Sequence, residues 1–209
     1  MAAPPEITIK NLNCVLVMDK ALGDDPEDIF LLQGMGFLTR KTLRYATVTL
    51  HMTEKEENGV IIVTSDQTIT GGVKGTTEVR ILNWEPRAHE DKIFGKVVGN
   101  SRFVEAEGNV PALEVQTKVA DPKENEAIEK FLKGETLADG KPTEGFVVDE
   151  QNTSFLQSWV VSQENGWTAE QIWGFEMIDG QRRHTRRAVV AKGKKVVKAR
   201  LVYTYQSAL

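Results

Sequence analysis

The chain has 209 residues, 27% of them charged and 40% apolar, with a formal net charge of −4. This is the composition of a water-soluble globular protein, and its mild acidity gives no reason to expect a nucleic-acid partner. A single cysteine, Cys14, excludes an intrachain disulfide and a cysteine-based zinc site, and three histidines without ligand spacing predict no metal.

The first residues, Met-Ala-Ala-Pro-Pro-Glu, lack the basic and apolar regions of a secretory leader. No apolar run approaches the ~20 residues of a membrane-spanning helix, so no membrane span and a cytoplasmic location are expected. Residues 12–18 then read as a first strand. Asp25-Pro26-Glu27-Asp28 starts a short helix, with Asp25 as cap and Pro26 in the first turn, and Gly34 ends it. A second helical piece is expected from Phe37 to Tyr45, with Gly34 and Gly36 turning the chain between the two at positive φ. Short β-branched or aromatic runs follow at residues 47–53, 59–68, 76–82 and 93–104. Asn58-Gly59 marks a tight hairpin, and the glycine-rich stretch 70–77 leads into a strand, as a hairpin rather than a phosphate cradle. Residues 106–153 are richer in charge and turn residues, with a helix capped by Asp121-Pro122 and stopped by Gly134. The stretch reads as an insertion between two strands, too short and polar for its own core. Strands resume at 155–162, 168–178, 182–191 and 196–205, joined by Asn165-Gly166, Asp179-Gly180 and Lys192-Gly193-Lys194. Successive hairpins of this kind predict a mainly β fold: one antiparallel up-and-down β-barrel over 1–209, with a helix-turn-helix lid and a helix-containing insertion.

The stretch Gly34 to Lys41, Gly-Met-Gly-Phe-Leu-Thr-Arg-Lys, resembles the Gly-x-Gly-Phe-x-Thr-Arg-Lys of the helical lid in fatty-acid-binding proteins. Trp84-Glu85 and the hairpin spacing through Asp179-Gly180 and Gly193 to Tyr203 are similar too, so the resemblance covers residues 11–104 and 155–205. The whole chain more closely resembles a family of small fungal proteins of unsettled function, through Asn83-Trp84-Glu85-Pro86-Arg87 and the stretch Asn165 to Glu170. The resemblance to the lipid-binding (calycin) family implies a hydrophobic ligand in the barrel and a lid whose Met35 and Phe37 face the barrel mouth. It also implies an Arg-x-Tyr on the last strand and a second inward arginine. Tyr203 matches, but Leu201 and Phe175 stand at the two arginine positions, and Arg200 lies on the opposite face. Asn13-Cys14-Val15 replaces the Gly-x-Trp of the first strand.

The run Arg182-Arg183-His184-Thr185-Arg186-Arg187 carries basic residues on both faces of its strand. Counting from Gly180, or back from Gly193, turns His184, Arg186, Ala188 and Val190 inward. A guanidinium inside an apolar barrel needs a ligand anion, a buried acid or water, and an adjacent His184 suits hydrogen bonding or proton transfer. The alternative is a solvated hairpin stem beyond the rim. Trp173, Phe175 and Met177 share a face, giving either an aromatic ligand-pocket wall or ordinary core packing. Tyr203 and Tyr205 are in phase, and Tyr203 suits donation to a ligand carbonyl. Asp66 and Gln67 take opposite faces, Glu78 reads as a cross-strand ion pair with a basic neighbour, and His51 and His89 are isolated.

Two functions follow. The first is binding of a small hydrophobic metabolite (polyketide-, terpenoid- or fatty-acid-like) by Met35, Phe37, Trp173, Phe175, His184, Arg186 and Tyr203. The second is a cofactor-free isomerase or cyclase of secondary metabolism, with His184, Arg186 and Tyr203 as its catalytic set. Both require an internal cavity against Trp173, Phe175 and His184. A third option is an interaction protein whose insertion docks a partner. No cofactor is expected.

Overall fold

In the computed structural model, residues 1–91 and 93–209 are described. The chain runs through β1 (Cys14–Met18), the helices α1 (Glu27–Leu32) and α2 (Phe37–Tyr45), and then β2 (Val48–Glu57), β3 (Val60–Ile69) and β4 (Val73–Ile81). It continues with β5 (Arg87–Asp91), β6 (Gly95–Glu107), the two-residue β7 (Val110–Pro111) and α3 (Pro122–Leu132). Four strands end it: β8 (Ser154–Ser162), β9 (Trp167–Ile178), β10 (Gln181–Lys192) and β11 (Lys195–Ala208). All pairings are antiparallel, in the order β4-β3-β2-β1-β11-β10-β9-β8-β6-β5, with β7 on β6. The ends of this path meet where β4 comes alongside β6. The expected up-and-down barrel with a helical lid is therefore present.

Local chemistry accounts for the elements. Asp179 and Gly180 sit at φ of 50° and 69°, the left-handed pair that a tight β9–β10 hairpin needs. Gly34 at φ 87° ends the α1 turn, whereas Gly36 lies at φ −61°, so only the first of the two glycines needs its freedom. The Asp121 carboxylate caps α3 by accepting from the Lys123 N–H at 2.9 Å, whereas the cap position of α1 is Pro26, and Asp25 before it accepts from the Glu27 N–H at 3.0 Å. One difference concerns 87–91, where no strand is expected from sequence. It is the edge strand β5, whose polar residues suit an exposed edge, and the strand expected over 93–104 is its partner β6.

Three apolar clusters place the core. Inside the barrel, Leu16, Leu50, Met52, Leu156, Trp173, Phe175 and Tyr203 pack together, and Ile7, Ile9 and Leu12 of the N-terminal segment join them from below. Arg182 ties that segment down, donating to the carbonyls of Pro4 at 3.0 Å and Ile7 at 2.8 Å. At the other end, Ile29 of α1 packs onto Val97, Trp167, Ala188 and Ala199. The third cluster lies on the outer face of the sheet, where Ile128, Phe131, Leu132 and Phe146 of the insertion cover Phe155, Ile172 and Val189. Each large side chain so buried contributes about 1.5–3 kcal/mol. The insertion thus takes its core from the barrel wall. Beneath it Arg187 and Glu176 form a buried two-pronged pair (2.8 and 3.0 Å), and Arg187 also donates to the carbonyls of Phe131 and Thr136.

Candidate functional site

Register decides what enters the barrel. His184 lies opposite Phe175 and Tyr203, and Arg186 opposite Trp173 and Leu201, so the inward phase counted from the two glycines holds. Arg183 and Arg187 take the outer face, where Arg183 donates to Thr204 Oγ1 and Gln181 Oε1. All four residues from His184 to Arg187 are buried, which removes the solvated-stem alternative for them.

Arg186 is the centre of the arrangement. Its guanidinium carbon lies 3.7 Å from the centroid of the Trp173 ring and 5.2 Å from that of Tyr203. A cation held so close to an indole face, away from water, gains ~2 kcal/mol. Nη2 contacts Met52 Sδ at 3.5 Å, and Nη1 faces Glu78 Oε2 at 3.6 Å. Glu78 and Arg80 come from β4, opposite Ser65 and Val63 of β3, and point to the same interior. Arg80 Nη2 lies 3.4 Å from the same Glu78 oxygen, and its guanidinium 5.7 Å from the Trp173 centroid.

Two guanidiniums thus share one carboxylate. Burial pushes the Glu78 carboxyl up, but Arg80 and Arg186 more than offset this and hold it below the usual range. Burial, with repulsion from Arg186, pulls Arg80 down against the attraction of Glu78. His184 is ringed by Trp173, Phe175 and Tyr203 at centroid distances of 6.1, 5.4 and 5.6 Å. Burial first, then Arg186 and Arg182, drive its pKa well below the ordinary value, so at neutral pH it is a neutral imidazole. Burial raises Tyr203, which keeps its proton.

No known family profile matches the sequence. The chain is 28% identical over 206 residues to "Probable pericyclase scpY" of Mollisia scopiformis, covering 98% of this chain and 94% of that one. It is 29% identical over 207 residues to "Pericyclase pydY" of an Acremonium species, covering 98% and 97%. Both relatives are fungal, in keeping with the sequence resemblance. Among solved structures it is similar to fatty-acid-binding protein 1 of Echinococcus granulosus, with a TM-score of 0.51, 11% identity, and coverage of 93% of this chain and 96% of that one. The barrel has the fatty-acid-binding-protein fold. In that frame Leu201 leaves the last strand without its inward arginine, and Arg186 stands directly across the ladder from it.

The structure corrects two expectations. Trp173, Phe175 and His184 have no accessible surface, so no water-sized space touches them. Arg186 stacked on Trp173, Arg182 at 3.8 Å from the Phe175 centroid, and the N-terminal segment fill the room where a cavity was expected. Open space borders Glu78 instead, whose side chain is 41% accessible although it sits deep enough for burial to raise its pKa. A second space of about 220 Å³ lies under the lid, lined by Met18, Phe30, Arg40, Leu43, Val48 and Gln67 among others. The other correction is Phe37, which is 65% exposed and does not face the barrel mouth, while Met35 is buried. Phe30 takes the place expected of Phe37, and Arg40 holds the lid together by pairing with Glu27 at 2.8 Å.

Glu78 and Arg80 are the residues that sequence reasoning passed over as site members. The expected cross-strand ion pair of Glu78 is instead a pair with Arg80 on its own strand and with Arg186 across the interior, and its inward direction was not legible. The available signal was the shared parity of Glu78 and Arg80 on one short strand.

Proposed function

We propose that the chain binds a small hydrophobic metabolite inside its barrel and converts it as a cofactor-free pericyclase. The observation that carries this reading is the similarity to two proteins named as pericyclases along 98% of the chain. The chemistry of the interior supports it. A pericyclic step breaks and forms its bonds in one cyclic transition state, so the formula is unchanged and no acid–base pair is required. What the protein must supply is a folded substrate conformer and dipoles or charges aimed at the polarised end of the reacting system. The open space inside the barrel that borders Glu78 meets the first need. Arg186, held flat on Trp173 with Tyr203 beside it, meets the second as a fixed donor to a conjugated carbonyl. Arg186 and Tyr203 keep their assigned places in this scheme, and a neutral, fully buried His184 packs behind Tyr203 and Trp173 rather than acting as an acid.

The second reading, a carrier that releases its ligand unchanged, is favoured by the fatty-acid-binding-protein fold. Complementation separates the two. Expression of this chain in an Acremonium strain deleted for pydY restores the lost metabolite if it is a pericyclase of matching substrate class. A soluble protein that accumulates bound precursor without product supports the carrier instead.

A further inference from the structure

We infer that Gln67 contacts the ligand, its side-chain amide donating to a neutral carbonyl oxygen of the molecule held under the lid. The inference deepens the proposed function and rests on the reading that the barrel interior is the ligand site. It comes from a break in the sheet. Asp66 of β3 pairs with Thr77 of β4 and Thr68 with Lys74, so Gly75 and Thr76 together stand opposite Gln67 alone. A two-against-one bulge of this kind bends its strand and re-aims side chains, and it recurs beside active sites. On its other side Gln67 pairs with Leu50, whose side chain lies in the barrel core, so Gln67 takes the inward face.

Both bulge residues hold the amide. Thr76 Oγ1 donates to Gln67 Oε1 at 2.9 Å. A Cβ at Gly75 would stand 3.1 Å from Gln67 Cγ and 3.2 Å from Cδ and Oε1, so glycine is what lets the side chain lie against β4. Oε1 is thereby taken, whereas Nε2 has no hydrogen-bond partner among the described residues. The amide borders the space of about 220 Å³ under the lid, beside the apolar side chains of Met18, Phe30, Leu43 and Val48. Charged groups around that space are engaged elsewhere. Lys20 donates to the carbonyls of Leu43, Arg44 and Ala46 at the end of α2, and Arg40 is held by Glu27 and the Met35 carbonyl. Asp24 accepts from the Arg200 N–H, and Arg44 is exposed to water. A fixed neutral donor beside apolar side chains selects a ketone, ester or amide oxygen, since an anion loses more hydration than one amide returns. Gln67 thus orients the lid-facing end of the ligand, with Thr76 as the positioning residue behind it.

The test uses the full chain and two fluorescent probes of nearly one shape. One is Prodan, a dimethylaminonaphthalene bearing a propionyl ketone, whose emission moves to the red when the carbonyl accepts a hydrogen bond. The other is its propyl analogue, which lacks the oxygen. Gln67→Leu is expected to weaken the ketone about three- to tenfold, as loss of one hydrogen bond predicts, and to move its bound emission to the blue. The propyl probe binds this variant as before. Thr76→Val keeps the glutamine but frees its amide, and a smaller loss of the same kind is expected. Circular dichroism checks the fold of each variant, and Thr76→Val decides if Gln67→Leu does not fold. Unchanged affinity or unchanged emission of the bound ketone in the deciding variant overturns the inference and leaves the barrel as the binding site. So do equal losses for the two probes, which mark Gln67 as packing only. Failure of both probes to bind the unaltered chain overturns the inference together with the reading on which it rests.

Discussion

His184 and Glu54 show how single buried groups write themselves into stability. His184 has its pKa driven down, so below the ordinary histidine value near 6.5 the unfolded chain binds a proton that the native state refuses. Its contribution to stability is present above that value and is lost as pH falls. Glu54, which accepts the Leu12 N–H at 3.2 Å, behaves oppositely, since burial pushes it up to about 7 against the pull of Leu12 and Lys10. Between its ordinary value and 7 the native state holds the extra proton, and stability falls as pH rises. The two slopes oppose each other over much of the same range. We predict that His184→Gln leaves the Glu54 slope unopposed, so that urea midpoints rise between pH 7 and pH 5. Glu54→Gln leaves the acid-side loss from His184 unmasked and raises stability at pH 8 by ~1 kcal/mol after allowance for partial exposure. Identical midpoint–pH curves for both variants and the unaltered chain contradict this account. At this scale the sequence was informative where two turn glycines fixed the phase of His184 and Arg186. It was not for Glu78 and Arg80, because a register shift between Asp66 and Thr68 breaks the count from the Gly71-Gly72 turn along β3 and β4.

Among the elements, the insertion depends on one missing side chain. A Cβ at Gly174 would stand 2.6 Å from a ring carbon of Phe146 and 3.2 Å from one of Phe155, so glycine is what lets the insertion lie on β9. Gly174→Ala is predicted to cost about 1–3 kcal/mol, the usual range for overpacking, and to speed proteolysis within 108–153 before the barrel is cut. Uniform proteolysis across the chain goes against it. Arg187→Met strands Glu176, whose other cationic partner Arg200 lies at 3.1 Å, and is predicted to cost ~3 kcal/mol in urea unfolding. Most helices and hairpins here were legible, since capping acids, Pro26, Pro122 and turn glycines act through neighbours in sequence. β5 was not, because the pairing of its charged residues with β6 is a property of the sheet and not of the segment. Nor was the outward turn of Phe37, since a short amphipathic run does not say which face meets the barrel.

For the molecule as a whole, the antiparallel meander was readable from turn spacing, and the fold followed from it. The distribution of space was not. Interior volume depends on how side chains from non-adjacent strands meet, and here Arg186, Arg182 and the N-terminal segment filled the room that alternation alone left open. No helix among the described residues is long and apolar enough to cross a membrane. What remains central is conversion of a bound metabolite without a cofactor. The most direct test incubates the purified, dialysed protein with metabolite extract of an Acremonium strain deleted for pydY, followed by chromatography and mass spectrometry. The account predicts a product of unchanged mass and new retention time, formed without added cofactor and slowed about a hundredfold in Arg186→Met. Recovery of the precursor bound but unchanged would contradict it.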